Sequence, residues 1–191
     1  MKKRLFIFDM GGVMCTNTNV IESICEKLGL NKRAFFEFAK AENFEKIQSG
    51  KITMDDFWRK FSESSGINVL EDYFETLFNP QRSIKMYQLA EKLKEKNRVV
   101  AGTNTIDSHY KKHLKNGDYD VFEMVYPSNL IGVAKPNINF YKNILENEKQ
   151  LPQDTIFIDD NKENVESANK LGITAILFKS YLDLTDKLNK L

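Results

Sequence analysis

The chain has 191 residues, 41% apolar and 29% charged, with 28 Lys and Arg against 27 Asp and Glu for a net charge of +1. That length fills one core, or one core with a smaller insertion, and the composition excludes a disordered or fibrous chain. The near-neutral balance argues against nucleic-acid binding through bulk charge.

The opening MKKRLFIFD imitates a secretory leader, but its apolar run stops at Asp9, and no later stretch approaches a membrane span. The two cysteines, Cys15 and Cys25, are too near in sequence to brace a domain and lack metal-type spacing. A reduced, cytoplasmic protein with no membrane partner is the simplest expectation.

Leu5 to Phe8 reads as the first buried strand. From Thr16 to Asn79 the pattern turns helical, with Phe35 and Phe38, Phe57 and Phe61, then Leu70, Tyr73, Phe74 and Phe78 at helical spacing until Pro80. Ile84 to Lys96 follows as a helix with Ile84, Tyr87, Leu89 and Leu93 toward a sheet. Arg98 to Gly102 and Val121 to Tyr126 read as strands. Asn139 to Asn147 is a helix behind Pro136. Thr155 to Ile158 is a strand, Asn161 to Leu171 a helix stopped by Gly172, and Ile173 to Phe178 the last strand. Alternating strands and helices predict an α/β fold, a doubly wound, Rossmann-like parallel sheet. The expected division is a core of residues 1–15 and 80–191 with an inserted α-helical cap of residues 16–79.

In such a sheet ligands bind beyond the carboxyl ends of the strands. There the sequence places Asp9, then Gly102, Thr103 and Asn104, then Asp159 and Asp160, while the loop from Ile131 to Pro136 brings Lys135. Converging carboxylates raise one another's pKa, and a hard divalent cation relieves the repulsion. Mg²⁺ suits the set, since it takes one or two carboxylates and completes its shell with water and phosphate. Lys135 and Thr103 then hold phosphoryl oxygens and leave Asp9 as a nucleophile.

DMGGV after the first strand, the threonine of AGTNT, the lysine of GVAKPN and the acidic pair of FIDDNKEN resemble, in order, the four motifs of the haloacid dehalogenase superfamily. The inserted helices, with QSGKITMDDFW, resemble its first cap type, in the sugar-phosphatase-like branch. The resemblance implies that Asp9 attacks phosphorus to form an aspartyl-phosphate. Thr103 and Lys135 stabilise the transferring group, Asn104 helps shape the phosphate loop, and Asp160 binds Mg²⁺ with Asp9. Asp159 completes the shell or holds a metal-bound water, and Gly11 gives its carbonyl to the metal.

Family members commonly carry a second aspartate, the general acid, where this chain has Gly11. General acid–base help is worth ~10²–10⁴-fold, so leaving groups that depart readily as anions are favoured. The expected activity is Mg²⁺-dependent hydrolysis of a small phosphorylated metabolite, a sugar phosphate and in particular a 1-phosphate. One competing reading is a dehalogenase-type hydrolase, for which Asp159 and Asp160 are superfluous charges. The other is a non-catalytic phosphate- or partner-binding protein.

Taken singly, the site residues have plainer readings: Asp9, Thr103 and Thr105 as turn residues, Lys135 as a solvated lysine, and Asp159 and Asp160 as helix caps. His109 and His113, four apart, read as exposed helix residues without a third ligand. Trp58 and the other aromatics of 16–79 read as packed core, and Cys15 as a small buried residue.

Overall fold

The computed structural model describes residues 3–191. Met1 and Lys2, which begin the leader-like segment, lie outside the described residues.

Strand β1 (Leu5–Phe8) leads into a two-residue strand β2 (Cys15–Thr16). Five helices follow: α1 (Ile21–Leu28), α2 (Lys32–Ala39), α3 (Ala41–Gln48), α4 (Met54–Ser65) and the short α5 (Tyr73–Thr76). The chain then returns through β3 (Gln81–Arg82), α6 (Ile84–Lys94), β4 (Arg98–Thr103), α7 (Asp107–Asn116), β5 (Val125–Pro127) and α8 (Ser128–Ile131). It finishes with α9 (Ile138–Glu148), β6 (Thr155–Asp159), α10 (Lys162–Lys170), β7 (Thr174–Leu177) and α11 (Tyr181–Leu188). Among the described residues no helix is long and apolar enough to cross a membrane.

The main sheet is parallel throughout, in the order β5-β4-β1-β6-β7. Its central strands are buried on both faces, which is why each reads as a short continuous apolar run. Side chains alternate between faces. Phe6 and Phe8 pack with Met86 and Ala90 of α6, while Leu5 and Ile7 pack with Phe140 and Ile144 of α9 on the other side. Register aligns Phe8 with Ala101 and Ile158, so the residues that follow these three positions emerge together at one edge.

Helices α1 to α5 have their own aromatic core, built from Phe35, Phe57, Trp58, Phe61 and Phe74, in agreement with the reading of these rings as packing. Thr53 starts α4 by accepting a hydrogen bond from the Asp56 N–H at 3.0 Å. The segment enters and leaves the sheet through β2 and β3, which pair antiparallel with Thr16 opposite Gln81. Asn17 Nδ2 adds a bond to the Asn79 carbonyl at 2.8 Å.

Three sequence expectations shift. Val121 and Phe122 are buried but lie in a turn, and the strand begins at Val125. On α6 the residues turned fully inward are Met86 and Ala90, with Tyr87, Leu89 and Leu93 beside them, while Ile84 is exposed at the helix start. His109 and His113 are not exposed: they are covered by Phe78, whose ring stacks on His109 at 3.7 Å and meets His113 edge-on at 5.1 Å.

Candidate active site

Three strand ends and one loop build the site. Asp9 follows β1, anchored by its N–H donating to the Ile158 carbonyl at 2.9 Å. Thr103 ends β4 and Asp159 ends β6, both buried. Asp160, one residue further, is exposed.

Lys135 reaches this edge from the loop after α8 and is itself buried. Its Nζ donates to Asp9 Oδ1 at 2.8 Å, to Asp159 Oδ2 at 2.7 Å and to the Gly102 carbonyl at 2.9 Å. All three ammonium protons are thereby used. The loop is held by Asn104, whose Oδ1 accepts from the Lys135 N–H and whose Nδ2 donates to the Lys135 carbonyl, both at 2.8 Å. The polar atoms of the Asn104 side chain are thus committed to the lysine loop, and toward a ligand the residue offers its backbone.

The two adjacent carboxylates differ in kind. Asp159 accepts from Lys135, from the Asn161 N–H at 2.8 Å and from Asn164 Nδ2 at 3.1 Å on each oxygen. Asp160 lies against Gly12, where a Cβ would fall 2.0 Å from Asp160 Oδ2. Gly12 also has φ +73°, a left-handed conformation natural to glycine. Helix α10 is capped by Asn161, which accepts from the Glu163 N–H at 2.8 Å, so neither aspartate caps it.

Burial pushes the Asp9 carboxyl up to about 6, against the pull of Lys135 and with the push of Asp159. Burial and the neighbouring Asp159 also raise Asp160. Burial opposes charge on Lys135, but Asp9 and Asp159 outweigh it and its pKa lies above the usual lysine range. One oxygen from each of Asp9, Asp159 and Asp160 falls within 4.8 Å of the others. Carboxylates clustered at this separation, two of them, Asp9 and Asp160, pushed toward protonation, are a donor set that a hard divalent cation fits.

Beside the carboxylates opens a cavity of about 280 Å³ between the sheet edge and α1 to α5. Gly11, Thr103 and Asn104 form its floor, and Ile21, Phe44 and Phe74 contribute apolar wall. His109 and His113, which the sequence reading set aside, also line it. His109 is held neutral, its pKa driven down to about 3 by burial, then by His113, against a bond to the Phe74 backbone. His113 pairs with Asp118 at 2.7 Å, and Asp118 in turn pairs with Arg82 of β3. No local sequence signal could have placed these histidines, since Phe78 arrives from the far end of the helical segment.

A parallel sheet with a carboxylate, a hydroxyl, a buried lysine and an acidic pair at its carboxyl edge, under a separate helical layer, defines a hydrolase of the haloacid dehalogenase type. Residues 6–178 match the haloacid dehalogenase-like hydrolase family, and the chain belongs to that family. It is 27% identical over 188 residues to the sesquiterpene phosphatase astK of Aspergillus oryzae, covering 95% of this chain and 90% of that protein. It is also 27% identical to rat bifunctional epoxide hydrolase 2, but it spans only 39% of that protein's length. Among solved structures, a HAD family enzyme of Bacteroides thetaiotaomicron in complex with magnesium and inorganic phosphate superposes with a TM-score of 0.78. Its sequence is 26% identical, and the match covers 93% of this chain and 95% of that one.

Proposed function

We propose that the chain is a Mg²⁺-dependent phosphomonoesterase acting on small organic phosphates through an aspartyl-phosphate on Asp9. The observation that carries this reading is the Lys135 ammonium, bonded at once to Asp9 and Asp159 beside the open carboxylate of Asp160. A cation with no free proton to give serves charge, and charge at this spot is what a phosphoryl group and its metal bring.

In this mechanism Asp9 attacks phosphorus while the bond from phosphorus to the ester oxygen breaks. Water then attacks the same phosphorus, the acyl phosphate opens, and orthophosphate leaves with Asp9 restored. Thr103 and the backbone at Asn104 hold the phosphoryl oxygens, and Lys135 balances their charge. Asp9, Asp160 and the Gly11 carbonyl would hold Mg²⁺, supported by Asp159, and the ion supplies neutralisation of the phosphate's charge. Residues 16–79 act as a cap that covers the ester and excludes water.

The sesquiterpene phosphatase relative and the apolar wall of Ile21, Phe44 and Phe74 favour an alcohol part with an apolar face. A sugar 1-phosphate, the expectation from the sequence, competes with it on leaving-group grounds. Both cysteines are free and buried, which suits the reducing cytoplasm. A dehalogenase has no use for Asp160, and the phosphatase reading stands ahead of it for that reason.

The test is phosphate release from aryl, isoprenoid and sugar 1- and 6-phosphates, with Mg²⁺ and with chelator, beside Asp9→Asn. Release confined to the Mg²⁺ arm and abolished in Asp9→Asn is expected. Release that survives the substitution overturns the assignment of Asp9.

A further inference from the structure

Breaking a phosphate ester leaves negative charge on the departing oxygen, and some group in the cavity must meet it. An ester whose phosphoryl group sat on Asp9 and Thr103 would extend its alcohol part into the adjoining cavity, whose lining includes Gly11, Thr18 and Thr103. Among the described residues no carboxyl group lines this cavity, and the two titratable residues that do are both histidines disposed against protonation, chiefly by burial.

Thr18 stands apart from the other polar residues there. A Cβ on Gly11 would lie 3.2 Å from Thr18 Oγ1, so the hydroxyl fills the space immediately above the residue two beyond Asp9. Gly11, unlike Gly12, does not have a left-handed backbone. Its missing side chain therefore serves the close approach of Thr18 and not a turn. Thr18 is only half-buried, and among the described residues its hydroxyl has no hydrogen-bond partner.

We propose that Thr18 is a catalytic residue for the leaving group, donating its hydroxyl hydrogen bond to the ester oxygen as that oxygen's bond to phosphorus breaks. The proposal rests on the phosphatase reading above. The proton stays on Thr18, because an aliphatic hydroxyl is too weak an acid to yield it, and the oxygen departs as an anion that takes its proton from water. The substrate class follows: phosphomonoesters of phenols, enols or hemiacetals, whose oxyanions need stabilisation but not full protonation.

The test compares kcat/KM for 4-nitrophenyl and phenyl phosphate, both with Mg²⁺, in the wild type, Thr18→Val and Thr18→Ser. Removing one preorganised donor costs about 10²-fold where charge on the oxygen is greatest. Thr18→Val is expected to lose that much on phenyl phosphate and only about threefold on the nitrophenyl ester, with Thr18→Ser recovering most of the loss. Equal losses on both esters, or a serine variant no better than valine, overturn the assignment of Thr18 while leaving the phosphatase reading intact. A wild type inactive even on 4-nitrophenyl phosphate overturns both.

Discussion

Asn104 clasps both backbone polar groups of Lys135, Oδ1 accepting from the lysine N–H and Nδ2 donating to the lysine carbonyl, each at 2.8 Å. An amide that pairs in this way fixes where the side chain of its partner begins. Asn104→Leu is expected to lower kcat by about 10–100-fold, the scale seen when supporting residues around a reactive centre are removed. The same variant should stay folded by circular dichroism. A kcat within twofold of wild type would show that the loop holds without the clasp.

Lys135 is the shared counter-charge of two buried carboxylates. Lys135→Met leaves both unpaired, and breaking a buried pair in this way costs about 3–5 kcal/mol. Chemical denaturation should show the loss, and it should be partly relieved in Lys135→Met combined with Asp159→Asn. Strict additivity of the two substitutions would contradict the shared role.

Gly12→Ala places a methyl against Asp160 Oδ2 at a left-handed position. The expected result is displacement of Asp160, with half-saturation by Mg²⁺ raised at least about tenfold. Titrating activity against Mg²⁺ measures it. An unchanged half-saturation with lower kcat would separate Asp160 from the metal.

Acid sensitivity follows from His109. Its folded pKa is lowered to about 3 by burial, whereas the unfolded side chain titrates near 6.5. Between these values the unfolded state binds the extra proton, so stability is full above about pH 6.5 and falls as pH drops, by up to about 1.4 kcal/mol per unit. His109→Phe, which keeps the ring against Phe78, should flatten the decline between pH 6.5 and 5 in thermal melts. Parallel curves for the two proteins would assign the decline to other groups.

Restoring a carboxyl group at position 11 offers the converse experiment. Gly11→Asp alone crowds Thr18 Oγ1, 3.2 Å from the new Cβ, and should lower activity on every ester. Combined with Thr18→Ala it should raise turnover of a simple alkyl phosphate by about 10²-fold, the lower range of acid–base help. No gain on the alkyl ester in the double variant would count against vacant space above Gly11 as the limit.

The edge that carries the candidate site was legible because apolar strand runs break abruptly to polar residues there, as at Phe8 and Asp9 or Ile158 and Asp159. Such a break cannot be explained by packing. The histidines were not legible, because lysines flank them in sequence while Phe78 and Asp118 bury them in space. Val121 and Phe122 carry a strand's composition, yet they pack as a buried turn beside Tyr119. Strands β2 and β3, two residues each, are too short to show any period. Asn104 looked like part of a phosphate loop, and only the fold reveals that its side chain is spent on Lys135.

The pairing of Thr16 with Gln81 has a topological meaning. Ends held one strand spacing apart, ~4.8 Å, make the whole helical excursion equivalent to the tip of a hairpin, so the sheet does not register its length or shape. Recognition can be rebuilt at that tip while the strands that carry Asp9, Thr103 and Asp159 keep their register, which separates what this fold selects from what it does.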